Sequence, residues 1–193
     1  MSRVEEQRLI ARARRGDSEA FAALYRENVQ AIHRYIYYRV NNAQLAEDLT
    51  GDVFMGALKS IREYTDTGKP FIAWLYRIAH ARVVDHYRRT QRRPAESDIE
   101  DEPIAVSADM DHELLRQQAA QALKRALDGL TDEQQQVIVM RFVEGQSLEM
   151  VAQVMNKNAN AIKAMQHRAL RTLAGKLKRA GFDVEMILSG FSS

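Results

Sequence analysis

Three prolines in 193 residues, at positions 70, 94 and 103, constrain this chain more than any other feature. Proline removes a backbone donor and clashes with the preceding helical turn, so residues 1–69 and 104–193 are free of the strongest helix breaker. Glycine, the next strongest, occupies only nine positions. Apolar residues in these stretches recur every three to four positions rather than alternating, and the expectation is an all-α protein. No stretch approaches the roughly 18 consecutive apolar residues of a bilayer span, and the opening MSRVEEQRLIARARRGD lacks the apolar run of a secretory signal. A cytoplasmic protein with no membrane insertion is expected. The absence of cysteine excludes a disulfide scaffold, a thiolate metal site and a cysteine nucleophile together.

The spacing predicts a short helix near residues 4–15, broken at Gly16, and a long one over 18–40 with Phe21, Leu24, Tyr25, Ile32, Tyr35, Ile36 and Val40 on one face. Asp17 or Ser18 caps its start. Residues 43–62 repeat the pattern through Leu45, Leu49, Val53, Phe54, Leu58 and Ile61, weakened locally by Gly51 and Gly56. Tyr64–Pro70 reads as a loop, with Pro70 at the first position of a helix that runs to about Arg93 and buries Phe71, Trp74, Leu75, Ile78, Val84 and Tyr87. Past the other two prolines, Leu114 to Leu130 form an amphipathic helix, and the Thr-x-x-Gln of residues 131–134 is a capping box that opens another. Gly145 ends that helix, Ser147 caps the next, and two helices with a tight turn at 156–159 reach about Leu177.

Charge divides the chain into three. Residues 1–93 carry 17 Lys/Arg against 11 Asp/Glu, residues 94–113 carry none against 8, and residues 114–193 carry 11 against 7. Two basic bodies thus flank an acidic strap, which suggests polyanion contact by the bodies. The strap, 94–112, has two prolines and no Lys or Arg, and reads as a self-repelling linker between a first domain at 1–93 and a second at 113–178, with a tail at 179–193.

The strongest local signal is SLEMVAQVMNKNANAIKAMQHR, residues 147–168. A helix-turn-helix needs a small residue where its helices cross, apolar inner faces and a left-handed residue in the turn. Ala152, the pairs Val151/Met155 and Ile162/Met165, and Asn156 supply these parts. A helical hairpin that merely closes a bundle shares the periodicity. Charge favours nucleic acid: no acid occurs between Met150 and Phe182, while Lys157, Lys163, Arg168, Arg171, Lys176, Lys178 and Arg179 do, and Lys163, His167 and Arg171 recur along one face. A second basic stripe, residues 77–93, combines six arginines with the aromatics Tyr64, Phe71, Trp74, Tyr76 and Tyr87, a mixture able to stack bases and track phosphates. Trp74 and Phe71 fall on the apolar stripe and read as core, leaving Tyr64 the freer stacking candidate. Around residues 46–54, Glu47, Asp48 and Asp52 accompany Leu49, Val53 and Phe54, which suits either docking on a basic protein or an ordinary solvated helix. No phosphate-cradling glycine loop, metalloprotease histidine pair or glycine-flanked serine occurs, so no enzyme and no cofactor or metal is expected.

Taken in order, AEDLTGDVFMGALKSI, FIAWLYRIAHARVVDHYRR and ALDGLTDEQQQVIVMRFVEGQSLEMVAQVMNKNANAIKAMQHRALRTL resemble regions 2.2, 2.3–2.4 and 4.1–4.2 of the extracytoplasmic-function (ECF, group IV) sigma factors of bacterial RNA polymerase, over residues 8 to 177. The resemblance implies two helical domains joined by the acidic linker, no covalent chemistry, and binding to core polymerase and promoter DNA. It implies contact with the β′ clamp helices through Glu47, Asp48, Leu49, Asp52, Val53 and Phe54. The loop 64–70 matches the element that receives a flipped non-template base at the −10 element, giving Tyr64, Thr65, Asp66, Lys69, Arg77, Arg82, Arg88 and Arg89 as −10 contacts. The helix from Asn160 to Lys176 is implied to enter the −35 major groove with Asn160, Lys163, His167, Arg168 and Arg171. An anti-sigma protein is an implied partner. Ala81 stands where the family often has Asn, so strand opening here leans on other groups. The rival reading is a conventional helix-turn-helix regulator with an N-terminal sensory or dimerisation domain; a metal-dependent nucleic-acid enzyme is a remote third.

Overall fold

A computed structural model describes residues 1–90 and 121–181. The described residues contain helices α1 (Arg3–Arg14), α2 (Ser18–Val40), α3 (Ala43–Ser60), α4 (Phe71–Thr90), α5 (Asp132–Ile138), α6 (Leu148–Met155) and α7 (Ala159–Arg179), with further helical residues at 121–128 and no strand. The acidic linker expected at 94–112 and the tail residues 182–193 lie outside them. No helix among the described residues is long and apolar enough to cross a membrane.

Side-chain caps set most of the boundaries. Asp17 accepts from the Ala20 amide at 3.1 Å, Asn42 from Leu45 at 2.8 Å, Ser147 from Met150 at 3.1 Å and Asn158 from Ala161 at 2.8 Å. Of the two residues proposed to cap α2, Asp17 is the one that does so, and it also pairs with Arg12 at 2.8 Å across the Gly16 turn. The capping box at Thr131 and Gln134 is complete. Asn41 and Asn156 end α2 and α6 in the left-handed region, at φ 55° and 52°, which asparagine tolerates better than other side-chain-bearing residues. Two helix ends are shorter than expected. Residues 61–63 tighten into a 3-10 turn after α3, and α5 passes into a π-helical run, Val139–Val143, before Glu144 and Gly145.

Helices α1 to α4 pack on one another, with Leu24, Ile32, Tyr35, Ile36, Val53, Phe71, Leu75, Ala79 and Val83 fully buried between them. In the second half α7 packs on α5 and α6. These halves share a core: Val137, Val139, Met140, Val151 and Ile162 belong to the same buried cluster as the first-domain residues. A separate cluster of Ala126, Leu127, Ile138, Ala169, Leu173 and Leu177 holds residues 121–128 against α5 and α7. The shared core changes the buried side of α4. Tyr76, Ala79 and Val83 are inside, whereas Val84 is half-buried and Tyr87 is exposed, contrary to the stripe read from periodicity. Helix α4 is covered by α2 and α3 on one side and by α6 on another, so its apolar surface is wider than one stripe.

Candidate nucleic-acid interface

The helix-turn-helix has the expected internal geometry. Val151, Ala152, Ile162 and Met165 are buried between α6 and α7, and Met155 is half-buried. Turning the chain at Asn156 leaves Asn160, Lys163, His167, Arg168 and Arg171 exposed along α7. Among the described residues none of these five has an acid partner, and α7 itself contains no acid. Lys157 differs from them: it pairs with Glu133 of α5 at 3.0 Å and is committed to the fold.

The loop between α3 and α4 is braced from below by α1. Asp66 accepts from the Gly68 amide at 2.9 Å and from Gln7 at 3.0 Å, with Arg3 at 3.7 Å, and these contacts hold its carboxyl below the ordinary range. The Phe71 amide at the start of α4 donates to Glu6 at 3.1 Å. Asp66 thereby stabilises the loop while its side chain remains about a third exposed at the surface. Tyr64 departs from the expectation. Its ring is 7% exposed and packs edge-on against Phe71 and at 4.9 Å from Trp74, so it is core and no free stacking surface. Trp74, read from the sequence as core, is half-buried and lines an open cavity of about 250 Å³ together with Glu63, Tyr64, Thr65, Thr67, Lys69, Arg77 and Gln153. This is smaller than the ~300 Å³ at which pockets for drug-sized ligands begin, and its two aromatics, with Lys69 and Arg77 set against the acid Glu63, suit a single flat group.

Beyond the cavity, Arg77, Arg88 and Arg89 are exposed on α4. Arg82 is half-buried instead: its guanidinium lies over α3 at Gly56, where an added Cβ would stand 3.3 Å from Nη2. The structure thus does not place Arg82 with Arg77. Ala81 is exposed.

Helix α3 separates its acidic and apolar residues. Glu47, Asp48 and Asp52 are exposed, but Leu49, Val53 and Phe54 are buried, Phe54 edge-on to Tyr25 at 4.8 Å. Those three are core and cannot meet a partner. The apolar groups on the outer face are Met55 and Leu58, at 54% and 46% exposure, residues that follow Asp48 and Gly51 at helical spacing. Counting i, i+4, i+7 from Asp48 would have found Met55; Leu58 was misassigned inward because it also fits the core stripe.

A three-residue turn between two helices, the first seated against a second helical domain and the second carrying an acid-free cationic face, defines a helix-turn-helix DNA-binding architecture. Models of sigma-70 region 2 and sigma-70 region 4 match residues 24–93 and 126–174. The ECF RNA polymerase sigma factor ShbA of Streptomyces griseus is 30% identical over 175 residues, covering 86% of this chain and 91% of that relative. The ECF RNA polymerase sigma factor BldN of Streptomyces coelicolor is 38% identical over 167 residues, covering 86% of this chain and 63% of its own length, so this chain spans less than two thirds of that relative. In fold, the structure of CnrH in complex with the cytosolic domain of CnrY superposes with a TM-score of 0.70 at 23% identity, covering 91% of this chain and 98% of that one. The chain belongs to the ECF RNA polymerase sigma factors.

Proposed function

We propose that this chain directs core RNA polymerase to promoters by two DNA contacts and one protein contact, with no covalent chemistry of its own. The observation that carries the reading is the acid-free outer face of α7. Asn160 and Lys163 stand in its first turns, where a recognition helix meets base edges in the major groove; an asparagine can pair with adenine and a lysine with guanine. Arg168 and Arg171, further along, suit phosphates of the −35 duplex. The cavity beside Trp74 receives an unpaired −10 base, with Lys69 and Arg77 at the backbone and Thr65 at its edge; Arg88 and Arg89 extend the cationic track. The exposed Glu47, Asp48 and Asp52 with Met55 and Leu58 supply a small acidic-apolar face for the β′ clamp helices. An anti-sigma protein that covers these surfaces is the further partner family membership suggests, and the workplace of all of them is the cytoplasm.

Transcription with purified core polymerase on a promoter library tests the reading. Added protein should create new start sites, and Asp48→Arg should abolish them while leaving −35 duplex binding intact. Duplex binding that needs no polymerase, with no new start sites, would favour the conventional regulator.

A further inference from the structure

Helix α1 precedes the residues 24–93 matched to sigma-70 region 2, yet it holds the loop that walls the cavity at two points. Gln7 donates to one Asp66 oxygen at 3.0 Å while the other accepts from the Gly68 amide at 2.9 Å, with Arg3 at 3.7 Å. Farther along, Glu6 accepts from the Phe71 amide at 3.1 Å. That amide opens α4, where a helix has no backbone acceptor of its own to offer, and the preceding Pro70 has no side-chain oxygen to supply one. Spacing explains how α1 reaches both points. Arg3, Glu6, Gln7, Ile10 and Ala13 lie three or four residues apart along one face; Ile10 and Ala13 are buried where α1 packs on α2 and the 61–63 turn, and the polar half of the face is left for the loop.

The loop needs holding from outside. Tyr64 and Phe71 are buried and fix its ends, but Thr65, Asp66, Thr67 and Gly68 between them are exposed, so burial does not decide their conformation. Thr65, Thr67 and Lys69 nevertheless line the cavity, whose shape therefore follows that of the loop. The contacts of Gln7 and Arg3 are exposed as well, and exposed polar contacts add little to global stability. They act instead by narrowing the conformations of the loop before a ligand arrives. A site that is competent in only a fraction of molecules loses affinity in proportion to that fraction.

We propose that Glu6 and Gln7, with Arg3, are positioning residues: they act through Asp66 and the first amide of α4 to hold loop 64–70 in the shape that captures an unpaired base beside Trp74. This deepens the −10 reading above and rests on it. None of the three lines the cavity, so each works through a neighbour.

Two measurements on the full chain separate loop order from base capture. Hydrogen exchange of the Thr65–Lys69 amides in the free protein reads the first. With the chain bound to core polymerase, the anisotropy of dye-labelled single-stranded oligonucleotides of random sequence reads the second, and Trp74→Ala marks its loss. Gln7→Glu sets two carboxylates against each other; exchange in the loop should quicken and oligonucleotide affinity fall about fivefold, with the thermal midpoint within about 2 °C of wild type. A merely structural brace would lower the midpoint instead. Gln7→Glu with Asp66→Asn turns the bond round, the new amide donating to the new carboxylate while its oxygen keeps the Gly68 amide, and should restore both readouts. Glu6→Ala should behave as Gln7→Glu does, and Glu6→Gln, which keeps an oxygen for the Phe71 amide, as wild type. Unchanged exchange, faster exchange with unchanged affinity, or a double variant that rescues neither overturns the proposal. If Trp74→Ala binds as wild type does, the −10 reading fails and takes this one with it; a weakened Trp74→Ala beside unaffected α1 variants removes the positioning role alone.

Discussion

His80 is a titratable side chain held between the two halves of the fold. It lies half-buried on α4, faced by Arg39 of α2 and by Asp132 and Glu133 of α5, with Nε2 3.8 Å from Asp132 and Nδ1 buried without a partner. Burial first, and then the Arg39 charge, push its pKa below the ordinary 6.5 against the pull of the two acids. Unfolding returns His80 toward 6.5, so the folded form binds fewer protons. Its contribution to stability is unpenalised above that value and turns unfavourable as pH falls below it. Acidification from about pH 7.5 to 5.5 should lower the midpoint of chemical denaturation, and His80→Gln should flatten the response. At the cavity the two aromatics separate by role. Trp74→Ala should weaken capture of unpaired −10 strand by about 1–3 kcal/mol, measured with single-stranded oligonucleotides, since a stacking surface is lost. Tyr64→Ala, which empties a core position, should instead lower thermal stability by about 3 kcal/mol, the cost of deleting a buried aromatic.

At the scale of elements, the cationic face of α7 stands exposed only because α6 stops where it does. Asn156 holds the left-handed conformation that turns the chain, so Asn156→Gly should be nearly neutral while Asn156→Val should cost about 1–2 kcal/mol in chemical denaturation. Along α7 the contacts divide by position. Lys163→Ala should weaken −35 duplex binding and, if the amine meets a phosphate as well as a base, reduce the slope of log affinity against log salt by about 1. Periodicity and capping made α2, α6 and α7 legible because a side chain that caps the amide three residues on, or a left-handed asparagine, is a local matter. The π-helical run at Val139–Val143 was not legible: the widened turn brings Glu144 to Arg34, a residue 110 positions away, and no local pattern encodes that.

At the scale of the whole molecule, the acidic face of α3 and the cationic face of α7 are carried by helices that share one buried core. Met55→Glu on the exposed face of α3 should lower affinity for core polymerase about tenfold while leaving the thermal transition within about 2 °C of wild type, because Met55 supports no core contact and surface changes cost little. Local chemistry determined much of this protein: helix positions follow from the three-to-four spacing of apolar residues, caps from short oxygen-bearing side chains, and the cationic face of α7 from charges recurring every four residues. Tertiary packing decided the rest. Whether Phe54, Tyr64 and Arg39 meet water or another helix depends on neighbours remote in sequence, and an apolar or basic side chain looks the same in the chain whether it is destined for a partner, a strand of DNA or the inside of the fold. Arg39 is the clearest case, since a lone arginine at a helix end reads as solvated until an acid and an amide from the other domain close over it.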